Sequence, residues 1–260
     1  LGGISMIPKN PAVCRVFDYA LDYNRTMAYH DWIKENVSGK TIVELGAGSG
    51  ILSWLCVKYG ATKVYAYENN LRIANWLDQC FEGESKVEVV KEDITTATFP
   101  TADIYLHENL GCNVYNENII GMYTNLKSQN LEDKTYPNKI KIQYGTYNGT
   151  STKYNGTVND FSSTVLKDFF DLCPMEKIPG TFYQLTPEIA KININGTLYD
   201  GDLKSLTRYT DSDANSEYIF WEVSFDGSHV LSNWKTKNTW QIIKAADNYI
   251  PLDQLTYSIV

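Results

Sequence analysis

The chain has 260 residues, of which 43% are hydrophobic and 21% are charged, so it can bury a sizeable core in one large or two smaller domains. Its net charge of −8 argues against a nucleic-acid partner, because binding to phosphates needs a basic stripe and none is present. Five scattered cysteines without a C-x-x-C spacing argue against a disulfide framework or a zinc site, and they favour a reducing, cytoplasmic location. No apolar run reaches the ~18 residues of a membrane span, and no signal peptide is visible, so we expect no membrane partner.

The first half of the chain alternates helical and strand patterns. Residues 17–36 repeat apolar side chains on roughly one helical face, and residues 41–45 form a β-branched, strand-like run. A glycine turn and a helix ending at Gly60 follow. Further strand patterns are ATKVYAYE, KVEVVKED and ADIYLHE, and a further helix pattern is NLRIANWLDQCF. This alternation predicts βαβ units and a parallel sheet, the arrangement of an α/β fold.

After Pro137 the pattern changes to alternating runs that end in Asn-Gly or Asp-Gly turns, which are typical of antiparallel hairpins. We therefore predict a first domain over residues 1–137 and a β-rich domain over residues 138–260. Within the second domain, the segment NDFSSTVLKDFFDLCP carries apolar residues at helical spacing and predicts an amphipathic helix over about residues 159–175.

The segment ELGAGSG at residues 44–50 lies between a predicted strand and a predicted helix. Glycines at this place let the backbone approach a ligand and expose N–H groups at the start of the helix. The motif by itself is weak, and an ordinary strand-to-helix turn is the alternative interpretation. The candidate cofactor-binding glycines are Gly46, Gly48 and Gly50.

Acidic residues narrow the choice of ligand. Glu68 ends the next strand, where a carboxylate can bind both hydroxyls of a ribose. Glu44 precedes the glycines, where it would repel the pyrophosphate of NAD but would suit the ammonium group of S-adenosylmethionine. Asp93 and Ile94 follow a third strand, where a carboxylate and a backbone N–H could hold adenine, although solvated loop charges explain the acids there equally well.

The stretch HENLGCNVYNEN at residues 107–118 places Glu108 and Glu117 nine positions apart, directly after a buried strand. The two acids could be ordinary exposed charges, as most glutamates are. They could equally form a pair of carboxylates directed at one cation. Their position downstream of the glycine loop favours the second interpretation.

Several blocks, in this order, resemble the protein arginine N-methyltransferases, a family of class I S-adenosylmethionine-dependent methyltransferases. The helix NRTMAYHDWI and the block IVELGAGSGILSWLCVKYGATKVYAYE resemble the cofactor-binding part of that family. HENLGCNVYNENII resembles its double-glutamate hairpin, KTYPNKIKI its junction into a β-barrel, and SNWKTKNTW its Thr-His-Trp loop. Two residues depart from the family pattern: Asn109 stands in place of an aromatic residue, and Asn233 in place of the loop histidine.

The resemblance implies a Rossmann-like sheet with helices on both faces, followed by an antiparallel β-barrel-like domain with an inserted helical arm. It implies S-adenosyl-L-methionine as cofactor and a homodimer formed through the arm at 159–175, although a helix packed on its own chain is the alternative. The implied cofactor-binding residues are Arg25, Glu44, Gly46, Gly48, Gly50, Glu68, Asn69, Asp93 and Ile94. The implied catalytic residues are Glu108 and Glu117, and the implied substrate-binding residues are Tyr19, Asn233 and Trp234.

We therefore expect a methyltransferase that acts on the arginine guanidinium groups of a protein or peptide. Two carboxylates suit this reaction because a guanidinium stays cationic in proteins and must approach a second cation, the sulfonium. The alternatives are a methyltransferase acting on another cationic or small molecule, and a non-catalytic relative that serves as a binding module. Asn109 and Asn233 keep the last alternative open.

Overall fold

The computed structural model describes residues 16, 19–20, 22–112, 114–115, 117–148, 152–156, 168–169, 182–186, 191–207, 217–235 and 243–244. The helices are α1 (Tyr23–Asn36), α2 (Ile51–Lys58), α3 (Leu71–Cys80) and α4 (Ile119–Ser128), with short 3-10 helices at Glu132–Lys134 and Leu203–Ser205. The first strands are β1 (Thr41–Leu45), β2 (Lys63–Tyr67), β3 (Val87–Val90), β4 (Ile104–His107), β5 (Thr135–Tyr136) and β6 (Lys139–Tyr147). The later strands are β7 (Thr152–Gly156), β8 (Phe182–Thr186), β9 (Ile192–Asp202), β10 (Tyr218–Phe225), β11 (Ser228–Ser232) and β12 (Ile243–Lys244).

A parallel sheet with the strand order β3-β2-β1-β4-β5 forms the first half of the fold. β1 lies between β2 and β4, and it is almost wholly buried, as a central parallel strand must be when helices cover the sheet. Leu45 at the end of β1 is in register with Tyr67 of β2 and with His107 of β4. The segments that follow these three strands therefore meet at one edge of the sheet, the usual place for a ligand in an open α/β sheet.

An antiparallel sheet with the order β11-β10-β6-β9 forms the second half, and β12 pairs with β10. β7 and β8 pair as a separate two-stranded sheet. The predicted fold class, an α/β parallel sheet followed by an antiparallel β domain, is confirmed. Closure of the second sheet into a barrel stays a prediction.

Helix α1 joins the two sheets through a cluster of aromatic rings. Trp32 stacks on Phe225 of β10, with ring centroids 4.9 Å apart, and its other neighbour is Tyr136 of β5 at 4.8 Å. Tyr29 meets the same Phe225 edge to face at 5.1 Å. Rings in these arrangements add directional attraction to the apolar area that they bury. This aromatic junction fixes the position of α1 relative to both sheets.

Most of the predicted arm at 159–175 lies outside the described residues. Its two described residues contact helix α2 of the same chain: Lys58 forms an ion pair with Asp168 at 2.7 Å, and the rings of Trp54 and Phe169 are 5.6 Å apart. Phe169 is buried. The described helices include none that is both long enough and apolar enough to cross a membrane.

We predict that Phe225→Ala lowers the free energy of unfolding by about 3–5 kcal/mol, because it removes a fully buried ring that contacts both Tyr29 and Trp32. The measurement is urea unfolding, read as a shift of the midpoint at constant slope. The control is Leu71→Ala, at a side chain that is 61% exposed, which should change stability by no more than about 0.5 kcal/mol. Equal losses in the two variants would contradict the aromatic junction.

Candidate functional site

The glycine loop follows β1 and turns into α2. Gly46, Gly48 and Gly50 all have positive φ angles, of 81°, 52° and 78°. The N–H groups of Gly46 and Ala47 donate to the carbonyl of Tyr67 at the end of β2, at 3.0 and 2.7 Å. A Cβ atom on Gly50 would lie 2.7 Å from the Leu77 side chain, so this turn requires glycine both for its backbone angle and for space.

Glu68 lies under this loop at the end of β2 and is 8% exposed. Its Oε2 accepts a hydrogen bond from the Gly48 N–H at 3.1 Å, and its Oε1 accepts one from the Asn70 N–H at 2.8 Å. Burial raises the pKa of Glu68, while these N–H donors oppose that rise. The structure thus places Glu68 against the glycine loop, and its ribose-binding role stays a prediction.

Asp93, Ile94 and Asn69 lie on the loops that follow β3 and β2. Asp93 Oδ1 accepts from the N–H of Thr95 at 2.8 Å and from its hydroxyl at 2.7 Å, and these bonds lower the pKa of Asp93. Asn69 donates a further hydrogen bond to Asp93. The Ile94 carbonyl accepts a hydrogen bond from the Asn125 side chain at 2.9 Å. The two loops are therefore linked to each other and to helix α4.

The structure places Glu44 inside the core, and its predicted contact with the cofactor stays a prediction. Its carboxyl group is 2% exposed and accepts hydrogen bonds from both the hydroxyl and the backbone N–H of Ser53 on α2. Burial raises its pKa to about 8, so the group is mostly protonated and uncharged at pH 7. A buried carboxyl group engaged by Ser53 is a structural link between β1 and α2 and is poorly suited to bind an ammonium ion.

The acidic hairpin after β4 forms an ion-pair cluster with helix α1. The Arg25 guanidinium, only 4% exposed, donates from Nη1 to Glu108 Oε2 at 3.1 Å. Its Nε lies 3.7 Å from Asp22 Oδ2, and the ring of Tyr19 lies 5.0 Å from its central carbon. Arg25, which the family resemblance assigns to the carboxylate of the cofactor, therefore contacts one of the two predicted catalytic acids.

The two predicted catalytic acids act on the same guanidinium. Burial lowers the pKa of Arg25, but the charges of Glu108, Asp22 and Glu117 outweigh burial and raise it. Burial raises the pKa of Glu108, Arg25 opposes the rise and Glu117 adds to it. Glu108 Oε1 is buried and has no hydrogen-bond partner among the described residues. An unpaired buried carboxylate oxygen is costly, and this one is available for a bound donor.

Contacts from the second sheet hold the hairpin in place. The indole N–H of Trp221 on β10 donates to the Cys112 carbonyl at 3.1 Å, and the Tyr115 hydroxyl donates to the Thr207 carbonyl at 3.0 Å. At the start of the hairpin, burial lowers the pKa of His107 to about 4, so its ring is neutral. Its Nε2 therefore donates to the Pro137 carbonyl at 3.1 Å. No local sequence pattern indicates these supporting roles, because the contacts join residues far apart in the chain.

Asn109 follows Glu108 and lies against the glycine loop. Its Nδ2 donates to the Leu45 carbonyl at 2.8 Å and lies 3.4 Å from the sulfur of Met122. Its Oδ1 would be 2.7 Å from a Cβ atom on Gly46. The residue that replaces the family's aromatic side chain thus links the ends of β4 and β1.

The structure places Asn233, a predicted substrate-binding residue, within the second sheet. Asn233 is 1% exposed, its Oδ1 accepts from the Trp221 N–H at 2.8 Å, and its Nδ2 donates to the Ile219 carbonyl at 3.1 Å. Both polar groups of the side chain are therefore bound to β10, and the substrate-binding role of Asn233 stays a prediction. Trp234 packs edge to face on Phe220 at 5.7 Å, and its substrate-binding role stays a prediction.

Carboxylates dominate the charge around the sheet edge: Glu68 and Asp93 follow β2 and β3, and Glu108 and Glu117 face the buried cation Arg25. Such an edge repels a pyrophosphate and suits a nucleoside with a cationic group. The residues present therefore fit S-adenosylmethionine better than a dinucleotide.

Comparisons with known proteins agree with this geometry. A profile of the ribosomal RNA adenine dimethylase family matches residues 32–135. The histone-arginine methyltransferase CARMER of Drosophila willistoni is 34% identical over 123 residues, which cover 45% of this chain and 23% of that protein. The chain thus spans about a quarter of the length of the curated relative.

Solved structures show the same fold over most of the chain. The PRMT1 enzyme-prozyme heterotetrameric complex of Trypanosoma brucei with AdoHcy has a TM-score of 0.60 at 17% identity, covering 87% of this chain and 79% of that one. Protein arginine methyltransferase 10 of Arabidopsis thaliana has a TM-score of 0.55 at 16% identity, covering 89% of this chain and 84% of that one. The predicted resemblance to protein arginine methyltransferases is confirmed.

We predict that Glu44→Gln flattens the pH dependence of stability. Between the ordinary pKa of 4.5 and about 8, the folded protein keeps a proton on Glu44 that the unfolded chain has lost. Stability therefore falls as the pH rises, by about 1.4 kcal/mol per pH unit from this group, and the glutamine variant lacks that contribution.

Urea unfolding at several pH values between about 5 and 8 measures the slope for the wild type and the variant. Glu82→Gln, at an exposed loop position, is the matched control and should keep the wild-type slope. Parallel slopes for wild type and Glu44→Gln would show that Glu44 is ionised in the folded protein.

Proposed function

We propose that this protein is an S-adenosylmethionine-dependent N-methyltransferase that acts on the arginine side chains of a protein or peptide. The observation that carries this proposal is the unpaired Glu108 Oε1, which is buried beside Glu117 at the edge of the parallel sheet. Glu108 Oε2 already binds one guanidinium, that of Arg25. A second guanidinium, supplied by a substrate, matches the chemistry of the free oxygen.

The cofactor would lie along the edge formed by β1, β2 and β4. The cofactor would pack against the glycine loop, where the glycines leave room for it, and the Glu68 carboxylate and the loop of Asp93 would hold its nucleoside. Arg25 would hold its carboxylate. When bound, the cofactor would supply a sulfonium methyl group; an in-line displacement by the guanidinium nitrogen would form the N–CH3 bond, break the S–CH3 bond and leave the thioether, with no metal ion required.

The glutamate pair has three tasks in this scheme. It neutralises the substrate guanidinium, which would otherwise be repelled by the sulfonium. It fixes the plane of the guanidinium through two-point hydrogen bonding, so that one nitrogen faces the methyl group. Finally, Glu108 can take up a proton from that nitrogen at Oε1, because burial raises its pKa.

Two of the similar proteins support the proposed protein substrate, the proposed cofactor and the proposed oligomer. CARMER is described as a histone-arginine methyltransferase, which supports a protein substrate, and the Trypanosoma brucei enzyme is a heterotetrameric complex with AdoHcy, which supports both the cofactor and an oligomer. We retain the homodimer through the arm at 159–175 as part of the proposal, together with a cytoplasmic location. Sedimentation of a stable monomer at micromolar concentration would contradict the dimer.

We predict that Glu108→Gln lowers methylation of arginine-rich peptides on the order of 100-fold or more, because the amide cannot neutralise the guanidinium or accept its proton. Mass spectrometry of peptides incubated with S-adenosylmethionine measures the product, and calorimetry with S-adenosylhomocysteine measures cofactor affinity. Affinity should stay within about threefold of the wild type, which is a change below 1 kcal/mol.

Glu82→Gln is the matched control for the same charge change at an exposed position, and it should methylate at the wild-type rate. An unchanged rate in Glu108→Gln would exclude the glutamate mechanism. Methylation of small cationic compounds but not of peptides would favour the alternative substrate class. Failure of the wild type to bind S-adenosylhomocysteine would favour a non-catalytic binding module.

A further inference from the structure

The side-chain amide of Asn109 has one orientation in this fold. Its nitrogen donates to the Leu45 carbonyl at 2.8 Å, and the same nitrogen faces the Met122 sulfur at 3.4 Å. The reversed orientation would place Oδ1 against the carbonyl oxygen of Leu45, where two acceptors would repel each other. Oδ1 therefore points away from the end of β1 and towards the glycine loop.

Oδ1 is an available acceptor at that loop. Among the described residues no donor is bonded to it, and Asn109 is partly exposed. It would lie 2.7 Å from a Cβ atom on Gly46, so the missing side chain at Gly46 leaves it room. A fixed and unpaired amide oxygen thus stands between the first glycine of the loop and the glutamate hairpin.

A cationic cofactor tail needs an acceptor in this region. An ammonium group has three hydrogen-bond donors and no acceptor, so it must meet oxygen atoms. Glu44, the first candidate from the sequence, is buried and engaged by the hydroxyl and N–H of Ser53. Glu108 Oε2 is engaged by Arg25, and its Oε1 is the oxygen proposed above for the substrate guanidinium. Asn109 Oδ1 is a further neighbouring oxygen that is held in place and has no donor among the described residues.

We propose that Asn109 binds the ammonium group of the S-adenosylmethionine tail through Oδ1 and takes the role that the sequence suggested for Glu44. This inference rests on the proposed function, because it concerns the same cofactor. The Nδ2 bond to Leu45 holds the acceptor in position before the ligand arrives, so little side-chain entropy is lost on binding.

Two ligands test the assignment, since they differ in the tail. S-adenosylhomocysteine carries the ammonium and carboxylate groups, whereas 5′-methylthioadenosine has the same nucleoside and a thioether but no amino-acid tail. Calorimetry measures the affinity of wild type, Asn109→Ala, Asn109→Leu and Glu44→Gln for both ligands. Leucine keeps the size of asparagine and removes the acceptor, so it controls for the cavity that alanine leaves.

We expect both Asn109 variants to bind S-adenosylhomocysteine about tenfold to a hundredfold more weakly, the effect of losing a hydrogen bond to a charged group. Their affinity for 5′-methylthioadenosine should stay within about twofold of the wild type, which also shows that the variants are folded. Glu44→Gln should bind both ligands within about twofold of the wild type.

Other results would overturn the assignment. Equal weakening towards both ligands would make Asn109 a support for the loop only. A loss of S-adenosylhomocysteine affinity in Glu44→Gln, with none in the Asn109 variants, would return the ammonium to Glu44. Unchanged affinities combined with slower peptide methylation would place Asn109 against the substrate. If the wild type bound neither ligand, the proposed cofactor itself would fail, a result distinct from these three.

Discussion

The buried ion pair between Arg25 and Glu108 is the interaction on which the geometry of the site depends. It joins helix α1 to the end of β4 across 83 positions of sequence, and both side chains are largely withdrawn from water. A buried pair of this kind adds little net stability, but the loss of either partner leaves an uncompensated buried charge. The pair therefore constrains the fold, because the two charges compensate each other only while α1 and the acidic hairpin keep their relative position. Asp22 at the start of α1 reinforces it, because it accepts the Arg25 N–H and faces the guanidinium.

The same edge holds two buried glutamates with different tasks, and their surroundings set the difference. Glu44 is engaged by Ser53, is largely neutral at pH 7, and links two elements of the core. Glu108 faces a fixed cation on one oxygen and has no partner among the described residues on the other. Leaving a buried acceptor unpaired lowers stability, and such strain is typical of sites that complete their hydrogen bonding when a ligand binds. Chemical identity alone therefore does not distinguish a core acid from a functional one.

Local patterns were sufficient to predict the fold class, because strand and helix periodicities and the glycine turn depend only on residues that are adjacent in the sequence. The strand Thr41–Leu45 and the approach of Glu68 to the glycine loop follow from such patterns. The positions of Glu44 and Asn233 did not follow, because their partners lie on other elements: Ser53 on α2 for one and the backbone of β10 for the other. The support of the hairpin by Trp221 was also invisible, since it joins residues 109 positions apart. Sequence spacing identifies candidate acids, whereas packing decides which oxygen atoms remain available.

Asn109 and Asn233, the two asparagines that depart from the family pattern, show that packing also decides which amide oxygen atoms remain available. Both use their amide nitrogen to bind a backbone carbonyl of a neighbouring strand, so as donors they are equivalent. They differ in the oxygen. The Oδ1 of Asn233 accepts the Trp221 N–H, whereas the Oδ1 of Asn109 faces the glycine loop and has no donor within the described part of the chain. A side chain with both groups engaged can only stabilise the fold. One with a free, fixed acceptor at a ligand edge can also recognise a ligand, because its position is already determined by the core. The replacement of an aromatic residue at position 109 therefore need not weaken the site, since it exchanges an apolar wall for a directed hydrogen-bond acceptor.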